Sequence, residues 1–131
     1  MTDQLISFET AKLAKEKGFN IPCTDYFLEG HYVSNQKYVP LGLYVTVNQL
    51  RINRNKYTNN IYSAPTQSLL QKWLREEHSI DIIIEPNANE IQKYYCWRIR
   101  KNMEPAKWGN VTNTFEEALE AGLQQTLKLI K

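Results

Sequence analysis

Cysteine is scarce in this chain of 131 residues, which has only two, Cys23 and Cys96, far apart in the sequence. Small secreted domains usually carry a denser set of disulfides, so these two residues predict reduced thiols in a cytoplasm. The N-terminal segment lacks the basic and then apolar run of a signal peptide. No apolar stretch reaches the length needed to span a bilayer. The sequence therefore predicts a cytoplasmic protein that has no membrane partner.

Motifs for metals, cofactors and catalysis are absent as well. The two histidines, His31 and His78, stand with the cysteines in none of the CxxC, HxxxH or HExxH spacings. No nucleophile motif surrounds Cys23, and the five glycines form no phosphate-binding loop. The acidic pairs at 76–77 and 116–117 are typical of solvated helix positions. We expect no metal site, no cofactor, no catalytic residue and no enzymatic activity.

Apolar residues are sufficient for one core without a disulfide or a metal. They make up 42% of the chain, which has three Trp, four Phe and eight Tyr. A chain of this size buries about two-thirds of the surface that its unfolded state exposes. Residues 1–131 are therefore expected to form a single domain.

The first two predicted helices have recognisable ends. The first is expected to begin at an N-cap, Ser7, and to end at Gly18, where glycine permits the left-handed conformation. The second covers YSAPTQSLLQKWLREEH, residues 62–78, in which leucines and a tryptophan recur at helical spacing. Pro65 suits its first turn, and Thr66 is a candidate cap. The apolar face of this helix predicts packing rather than recognition of a partner.

The third predicted helix, TFEEALEAGLQQTLKLI, opens with a capping box from Thr114 to Glu117. Its predicted apolar side consists of Phe115, Ala118, Leu119, Gly122, Leu123, Leu127 and Ile130. We expect this side to share one core with Trp73 and Trp97.

Alternating apolar residues predict an antiparallel hairpin from SIDIIIEP and KYYCWRIRK, joined by a turn at 87–89. The residues expected on its apolar face are Ile80, Ile82, Ile84, Tyr95, Trp97 and Ile99. A further strand is predicted at 43–47, an exposed hairpin end or loop over the Asn-rich residues 48–60, and a loop over 102–113. The pattern predicts a small single α+β domain with three helices packed on one face of an antiparallel sheet.

Three blocks of the sequence resemble a family of small bacterial proteins that are often encoded in phages or prophages. The blocks are SFETAKLAKEKGF, SAPTQSLLQKWLREEHSIDI and TFEEALEAGLQQTLKLI, in that order and at matching spacing. They cover somewhat under half of the chain. The resemblance implies an origin in a phage or mobile element and a bacterial cytoplasm, and it implies no catalytic residues.

Charge is unevenly distributed, although the formal net charge is only +2. No acidic residue occurs between Glu29 and Glu76, and this span mixes cations with aromatic residues. Such mixtures hold phosphates and stack bases in proteins that bind single-stranded nucleic acid. The candidate contact residues are Arg51, Arg54, Lys56, Tyr57, Tyr62, Arg98, Arg100, Lys101 and Trp108. A solvated surface is the favoured interpretation of the same charges, because charged residues usually just cover surfaces.

Docking on an unidentified protein partner is the leading functional hypothesis. The chain has more tyrosines than one core of this size obviously needs, and tyrosine and tryptophan are enriched at the hot spots of protein interfaces. The candidate contact residues would then touch a protein. Weak binding of single-stranded nucleic acid is the alternative function. Arg54 is expected to be a surface residue whose loss leaves stability nearly unchanged.

Overall fold

The computed structural model describes residues 4–33, 52–57, 60–88, 93–101 and 107–130. The chain divides into two compact units, unit 1 (Met1–Gln4 and Thr66–Lys131) and unit 2 (Leu5–Pro65). Helices and antiparallel strands occur in both, so the predicted α+β class is confirmed. Within the described ranges, no helix combines the length and the apolar character needed to cross a membrane.

The described strands form two three-stranded sheets, one in each unit, whereas the sequence predicted one sheet. The short strands of unit 2 pair with one another rather than with the long hairpin of unit 1. Each sheet is contacted by the helices of its own unit, and the predicted packing of all three helices on one sheet face is not confirmed. The predicted strand at 43–47 lies outside the described residues. A single domain over 1–131 stays a prediction.

The described part of unit 2 contains one helix, a small sheet and a 3₁₀ helix. Its elements are α1 (Phe8–Glu16), β1 (Tyr26–Leu28), β2 (His31–Val33), the 3₁₀ helix (Arg54–Lys56) and β3 (Ile61–Ser63), with the strand order β2–β1–β3. Ser7 caps α1 as predicted, since its Oγ accepts a hydrogen bond from the Thr10 N–H at 3.3 Å. Gly18 follows α1 with a φ of +90°, which glycine adopts without strain. Glu29 and Gly30, both with positive φ, form the two-residue turn between β1 and β2.

One asparagine of the Asn-rich segment connects distant parts of unit 2. Asn55 Nδ2 donates to the Phe19 carbonyl at 2.9 Å, and Asn55 Oδ1 accepts from the Ser63 N–H at 2.9 Å. Asn53 caps the 3₁₀ helix by accepting from the Asn55 N–H at 3.1 Å. The predicted exposed loop is therefore wrong for residues 53–55, because these hydrogen bonds hold the segment against β3 and the chain after α1.

Over its described residues, unit 1 contains two helices and a longer sheet. Its elements are α2 (Gln67–His78), β4 (Ile80–Ala88), β5 (Lys93–Lys101), β6 (Lys107–Thr112) and α3 (Phe115–Leu129), with the strand order β4–β5–β6. The predicted cap of α2 is confirmed, because Thr66 Oγ1 accepts from the Leu69 N–H at 3.2 Å. The cap of α3 is confirmed in the same way, with Thr114 Oγ1 accepting from the Glu117 N–H at 3.1 Å. The predicted helix over 62–78 is wrong at its start, because Tyr62 and Ser63 belong to β3. Pro65 precedes the cap of α2 and so lies outside the first turn, where it was predicted.

The predicted hairpin is confirmed and is formed by β4 and β5, but the predicted turn at 87–89 is wrong for residues 87 and 88, which pair with β5 as part of β4. The register places Ile82 opposite Ile99, and both are buried. It also places Ile84 opposite Trp97, on the same face as the first pair. The sequence predicted a loop over 102–113. This prediction is wrong for β6, because that strand pairs with β5. The glycine and asparagine of β6 do not indicate a strand, so its pairing with β5 could not be predicted from this segment alone.

α3 closely approaches the inner face of this sheet. A Cβ at Gly122 would lie 3.0 Å from Ile82 Cγ2, so the backbone of α3 lies almost against β4 at this point. Leu119 and Leu123 are buried, as is Trp73 of α2. The core of unit 1 therefore forms between the apolar sides of its helices and the isoleucines of its hairpin.

Candidate functional site

Arg54, predicted to be an exposed contact residue, is buried in unit 2 and only 7% exposed. Its guanidinium carbon lies 4.1 Å from the centre of the Tyr26 ring. Its Nη1 donates to the Cys23 carbonyl at 3.1 Å, and its N–H donates to Ser63 Oγ at 3.2 Å. The prediction of a surface site is wrong, because the 3₁₀ helix directs the Arg54 side chain inward. The Tyr26 ring and the Cys23 carbonyl then compensate the guanidinium for the water that it loses on burial.

Lys56 and Tyr57 follow in the same segment and are exposed, with Lys56 Nζ 5.2 Å from the centre of the Tyr57 ring. Tyr62, half-buried in β3, belongs to a larger group that we call the cation–aromatic cluster. The cluster consists of Phe8, Lys12, Lys15, Phe27, Tyr32 and Tyr62.

The rings of the cluster form a row across the sheet of unit 2. The register places Phe27 opposite both Tyr32 and Tyr62, so the three side chains share one face. Phe8 of α1 meets the Phe27 and Tyr62 rings edge-on, with centres 5.5 Å apart in each pair. Tyr32, at the outer end of the row, is 49% exposed and donates to Asp25 Oδ2 at 2.8 Å.

Two lysines of α1 lie over these rings. Lys12 Nζ lies 5.5 Å from the centre of the Phe8 ring, and Lys15 Nζ lies 4.8 Å from that of Tyr62. Lys15 Nζ also donates to the Ile61 carbonyl at 2.8 Å. Burial lowers the pKa of the Lys15 ammonium. The cluster therefore combines cations and rings, as the nucleic-acid hypothesis requires, on residues mostly different from those predicted.

In unit 1, two of the predicted cations of β5, Arg98 and Arg100, have acidic neighbours on β4. Arg98 Nη2 lies 3.1 Å from Glu85 Oε1. Arg100 is the register partner of Asp81. Lys101 is exposed and falls on the other face of the sheet by the alternation of a strand. This strand pair is thus mixed in charge, unlike the uniformly basic surface that holds several phosphates.

The predicted contact residues occur in both units. Arg51 lies outside the described residues, and so does the side chain of Trp108, whose backbone belongs to β6. Of the others, Arg54, Lys56, Tyr57 and Tyr62 are in unit 2, and Arg98, Arg100 and Lys101 are in unit 1. Neither unit therefore contains the whole predicted contact surface.

A cleft of about 800 Å³ opens in unit 1 beside the first turns of α2 and α3, and we call it the α2–α3 cleft. Its lining residues are Gln4, Gln67, Ser68, Gln71, Tyr95, Asn113, Thr114, Phe115, Glu116 and Leu119. The volume is within the range of ligand-binding pockets. Most of these residues carry a side-chain amide or hydroxyl, but the surface that they expose to the cleft is mainly apolar and mostly uncharged.

Two glutamines of α2, one helical turn apart, are fixed by hydrogen bonds. Gln67 is buried, and its Nε2 donates to the Glu116 carbonyl and to Glu120 Oε1, each at 3.0 Å. Gln71 Nε2 donates to the Ile82 carbonyl at 2.8 Å. These bonds connect α2 to α3 and to β4, so the wall of the cleft is held in one geometry.

Two aromatic residues contribute to the apolar part of the cleft, which Leu119 also lines. Tyr95 of β5 and Phe115 of α3 meet edge-to-face with ring centres 6.3 Å apart. Phe115 was predicted on the apolar side of α3, but it is 45% exposed, because the first residue of the helix lies at the edge of the core. An exposed ring beside a cleft is available to a ligand.

The charged chemistry of the cleft is limited. Among the described residues that line the cleft, Glu116 alone has a formal charge. Across the ranges that the structure describes, no three His, Cys, Asp or Glu side chains group closely enough to hold a metal ion. The lining groups are suited to hydrogen bonding and stacking.

Comparison with known proteins finds no match to this chain among protein-family models, curated proteins or solved structures. The chemistry of the α2–α3 cleft and of the cation–aromatic cluster is thus the basis on which a function is inferred.

The residues of the cleft were not predicted from the sequence. One signal was present, because Gln67 and Gln71 are polar residues four positions apart on the flank of an otherwise apolar helix face. In the cation–aromatic cluster, Phe8, Lys12 and Lys15 recur at helical spacing, which places cations beside a ring. Neither pattern identifies its partners in the sheet, which come from distant parts of the chain.

Proposed function

We propose that this chain is a non-enzymatic accessory protein of a phage or mobile element, and that it docks on a protein partner through the α2–α3 cleft. The observation that carries the proposal is the cleft itself, whose wall joins fixed side-chain amides to the exposed ring of Phe115. The bacterial and cytoplasmic setting rests on the family resemblance of three sequence blocks.

The chemistry of the cleft supports a peptide segment as the ligand. Side-chain amides and hydroxyls match the N–H and C=O groups of a peptide backbone. Phe115 and Tyr95 offer an aromatic surface of the kind that forms hot spots at protein interfaces. Covering an exposed large apolar side chain contributes about 1.5–3 kcal/mol when burial is complete, so a half-exposed ring contributes part of this.

A peptide-display selection on the complete chain tests this function. A selected peptide is then titrated by calorimetry against the unaltered protein, Phe115→Ala and Gln71→Ala. We expect Phe115→Ala to weaken binding about tenfold, the loss that corresponds to roughly 1.4 kcal/mol. Val111→Ala is the matched control, because Val111 is 57% exposed in β6 and is not among the lining residues. Selected peptides that bind Phe115→Ala as tightly as the unaltered protein would overturn the proposal.

The cation–aromatic cluster supports a second candidate function, weak binding of single-stranded nucleic acid. Lys12 and Lys15 supply positive charge, and the half-exposed ring of Tyr32 supplies a surface on which a base can stack. The residues first predicted for this role support it less, since Arg54 is buried and Arg98 is paired with Glu85.

A further inference from the structure

The sheet of unit 1 has two faces, and α3 lies against one of them. A Cβ at Gly122 of α3 would lie 3.2 Å from Trp97 Cβ, so Trp97 is on this inner face. Side chains alternate along a strand, so its neighbour in β5, Cys96, is on the other face. Val111 of β6 is the register partner of Cys96 and shares that face. We call this side of the sheet the outer face.

Three apolar side chains are neighbours on the outer face, and we call Ile83, Cys96 and Val111 the apolar strip. Cys96 is directly beside Val111, and Ile83 is its diagonal neighbour because Ile83 pairs with Arg98, two residues further along β5. Val111 is 57% exposed, and the other two are half-buried. The solvated face of an antiparallel sheet is normally polar. Adjacent apolar side chains from all three strands therefore favour contact with a second surface.

Charges of opposite sign stand on the two sides of the apolar strip. Glu85 and Arg98 flank it, and Arg98 Nη2 lies 3.1 Å from Glu85 Oε1. In a further row of the register Asp81 is opposite Arg100, and both are exposed. These acids belong to β4 and these arginines to β5. A surface that carries both signs in this way is complementary to a copy of itself, whereas a surface of one sign requires a partner of the other sign.

We propose that the outer face binds a second copy of this chain in a two-fold symmetric dimer, an inference that does not depend on the docking function proposed above. A two-fold axis along the apolar strip places the strip of one copy on the strip of the other. The same rotation exchanges the two sides of the strip. Arg98 of each copy then faces Glu85 of the other, so the interface has an apolar centre with pairs of opposite charges beside it.

The size of the outer face predicts a weak dimer. Its strands have 6–9 residues. Three strands about 4.8 Å apart, with a rise of about 3.4 Å per residue, make a face about 14 Å wide and roughly 20–30 Å long. This footprint is smaller than the roughly 800 Å² that each partner contributes to a standard interface. The dimer should therefore dissociate on dilution, with a Kd on the order of 10–100 µM.

Sedimentation equilibrium of the complete chain between about 1 µM and 1 mM tests the association. We expect a change from monomer to dimer with rising concentration and no larger species, because a two-fold interface closes on itself. Val111→Lys should raise the Kd at least about tenfold, since it brings two like charges into the interface. Leu28→Lys is the matched control, because Leu28 is an apolar residue of β1 in unit 2 and is 43% exposed.

Two charge-reversed variants test the pairing across the axis. In Glu85→Arg both sides of the apolar strip are basic, and in Arg98→Glu both are acidic, so each variant alone should associate at least about tenfold more weakly than the unaltered chain. An equimolar mixture of the two should form a heterodimer, because a basic face then meets an acidic one. Circular dichroism shows whether each variant is folded. A Glu85–Arg98 pair that acts only within one chain is broken in both variants, and mixing does not restore it.

Cross-linking at Cys96 is an independent measurement on the unaltered chain. Cys96 belongs to the apolar strip, so a short bis-maleimide should link the Cys96 thiols of two copies at concentrations at which the dimer forms. Cys23 is only 5% exposed and should react slowly, which makes it an internal control. Cys96→Ser should abolish the linked species.

A chain that stays monomeric up to about 1 mM would overturn the proposal. So would a Kd that Val111→Lys leaves unchanged, or a mixture of folded charge-reversed variants that does not associate. The docking function is tested separately, because the residues of the apolar strip do not line the α2–α3 cleft. A displayed peptide that requires Phe115 should therefore bind Val111→Lys as tightly as it binds the unaltered chain.

Discussion

The backbone of Gly109 in β6 lies directly against the indole ring of Trp97 in β5. A Cβ built at Gly109 would overlap with three atoms of that ring, Cε2, Nε1 and Cζ2. The pairing of β5 with β6 shifts register at this place, between Cys96 and Arg98. A residue without a side chain is therefore required for the third strand to pass the tryptophan.

Gly109→Ala should destabilise the protein by roughly 1–3 kcal/mol, the usual cost of forcing extra volume into a packed site. The loss should be smaller in a Trp97→Leu background, because the ring that a methyl group would displace is then gone. Denaturant unfolding of the two single variants and the double variant measures this coupling. Additive losses would show that Gly109 is required for its backbone conformation rather than for the ring.

Leu123→Ala should lower the free energy of unfolding by about 2–5 kcal/mol, because Leu123 is fully buried in the core of unit 1 and its truncation leaves a cavity. Gln125→Ala, an exposed position of the same helix, is the control and should have little effect. The denaturation midpoint measures both. An unchanged midpoint for Leu123→Ala would contradict the inward orientation of this side of α3.

Arg54→Ala should destabilise the protein by about 1.5–3 kcal/mol, in contrast to the expectation from the sequence. The change removes a charged hydrogen bond to the Cys23 carbonyl and a stacking contact with Tyr26. Lys56→Ala, an exposed cation of the same 3₁₀ helix, should cost less than about 1 kcal/mol. Thermal unfolding compares the two variants, and equal losses would argue against a buried role for Arg54.

Lys15 should titrate below its ordinary pKa of 10.5, because burial disfavours its charged form. The unfolded chain then binds more protons than the folded chain at a pH between the lowered pKa and 10.5, so stability contributed by this site rises with pH across that window. Below the lowered pKa, the destabilisation caused by burying the charged Lys15 ammonium does not change with pH. Unfolding of the unaltered chain and of Lys15→Met at several pH values measures the difference. A Lys15 pKa above 10.5, measured by NMR, would show that contact with the Tyr62 ring outweighs desolvation.

Nucleic-acid binding by the cation–aromatic cluster should weaken with salt, with a log–log slope of about −0.7 for each phosphate bound on a single strand. Replacing Lys12 and Lys15 by alanine should make the slope shallower by roughly 0.7 for each phosphate that the variant no longer binds. Lys72→Ala is the control, since Lys72 is an exposed cation of α2 in unit 1. Fluorescence anisotropy with a labelled oligonucleotide provides the measurement. An absence of binding at low salt would remove this candidate function.

The elements that could be predicted from the sequence are those whose signals are local. The caps at Ser7, Thr66 and Thr114 follow from a hydroxyl placed before an apolar periodic segment, and all three are present. The hairpin of β4 and β5 follows from two segments of alternating apolar residues, interrupted at Ile83, on either side of a turn signal. Each of these patterns is contained in a short stretch of the chain, so no distant partner is needed to interpret it.

The features that were missed depend on distant partners. Arg54 is buried because Cys23 and Tyr26, which lie far away in the sequence, provide its carbonyl and its ring. The strand β6 exists because β5 offers it hydrogen bonds and because Gly109 can approach Trp97. The α2–α3 cleft is assembled from positions between 4 and 119. Composition and periodicity contain none of these pairings, since both are properties of a single segment.

The amide of Asn55 makes unit 2 sensitive to chemical ageing. Deamidation replaces Nδ2 by a carboxylate oxygen, which cannot donate to the Phe19 carbonyl. Two acceptors would then face each other across the 2.9 Å now closed by a hydrogen bond, whereas the Ser63 N–H would keep its partner. In an aspartate product, the hydrogen bond between the 3₁₀ helix and the chain after α1 would be lost with almost no change in side-chain volume, and the bond from Lys15 to the Ile61 carbonyl would still connect α1 to β3. Slow loss of ammonia at a single side chain is thus a way in which unit 2 can loosen while every apolar contact in it is still in place.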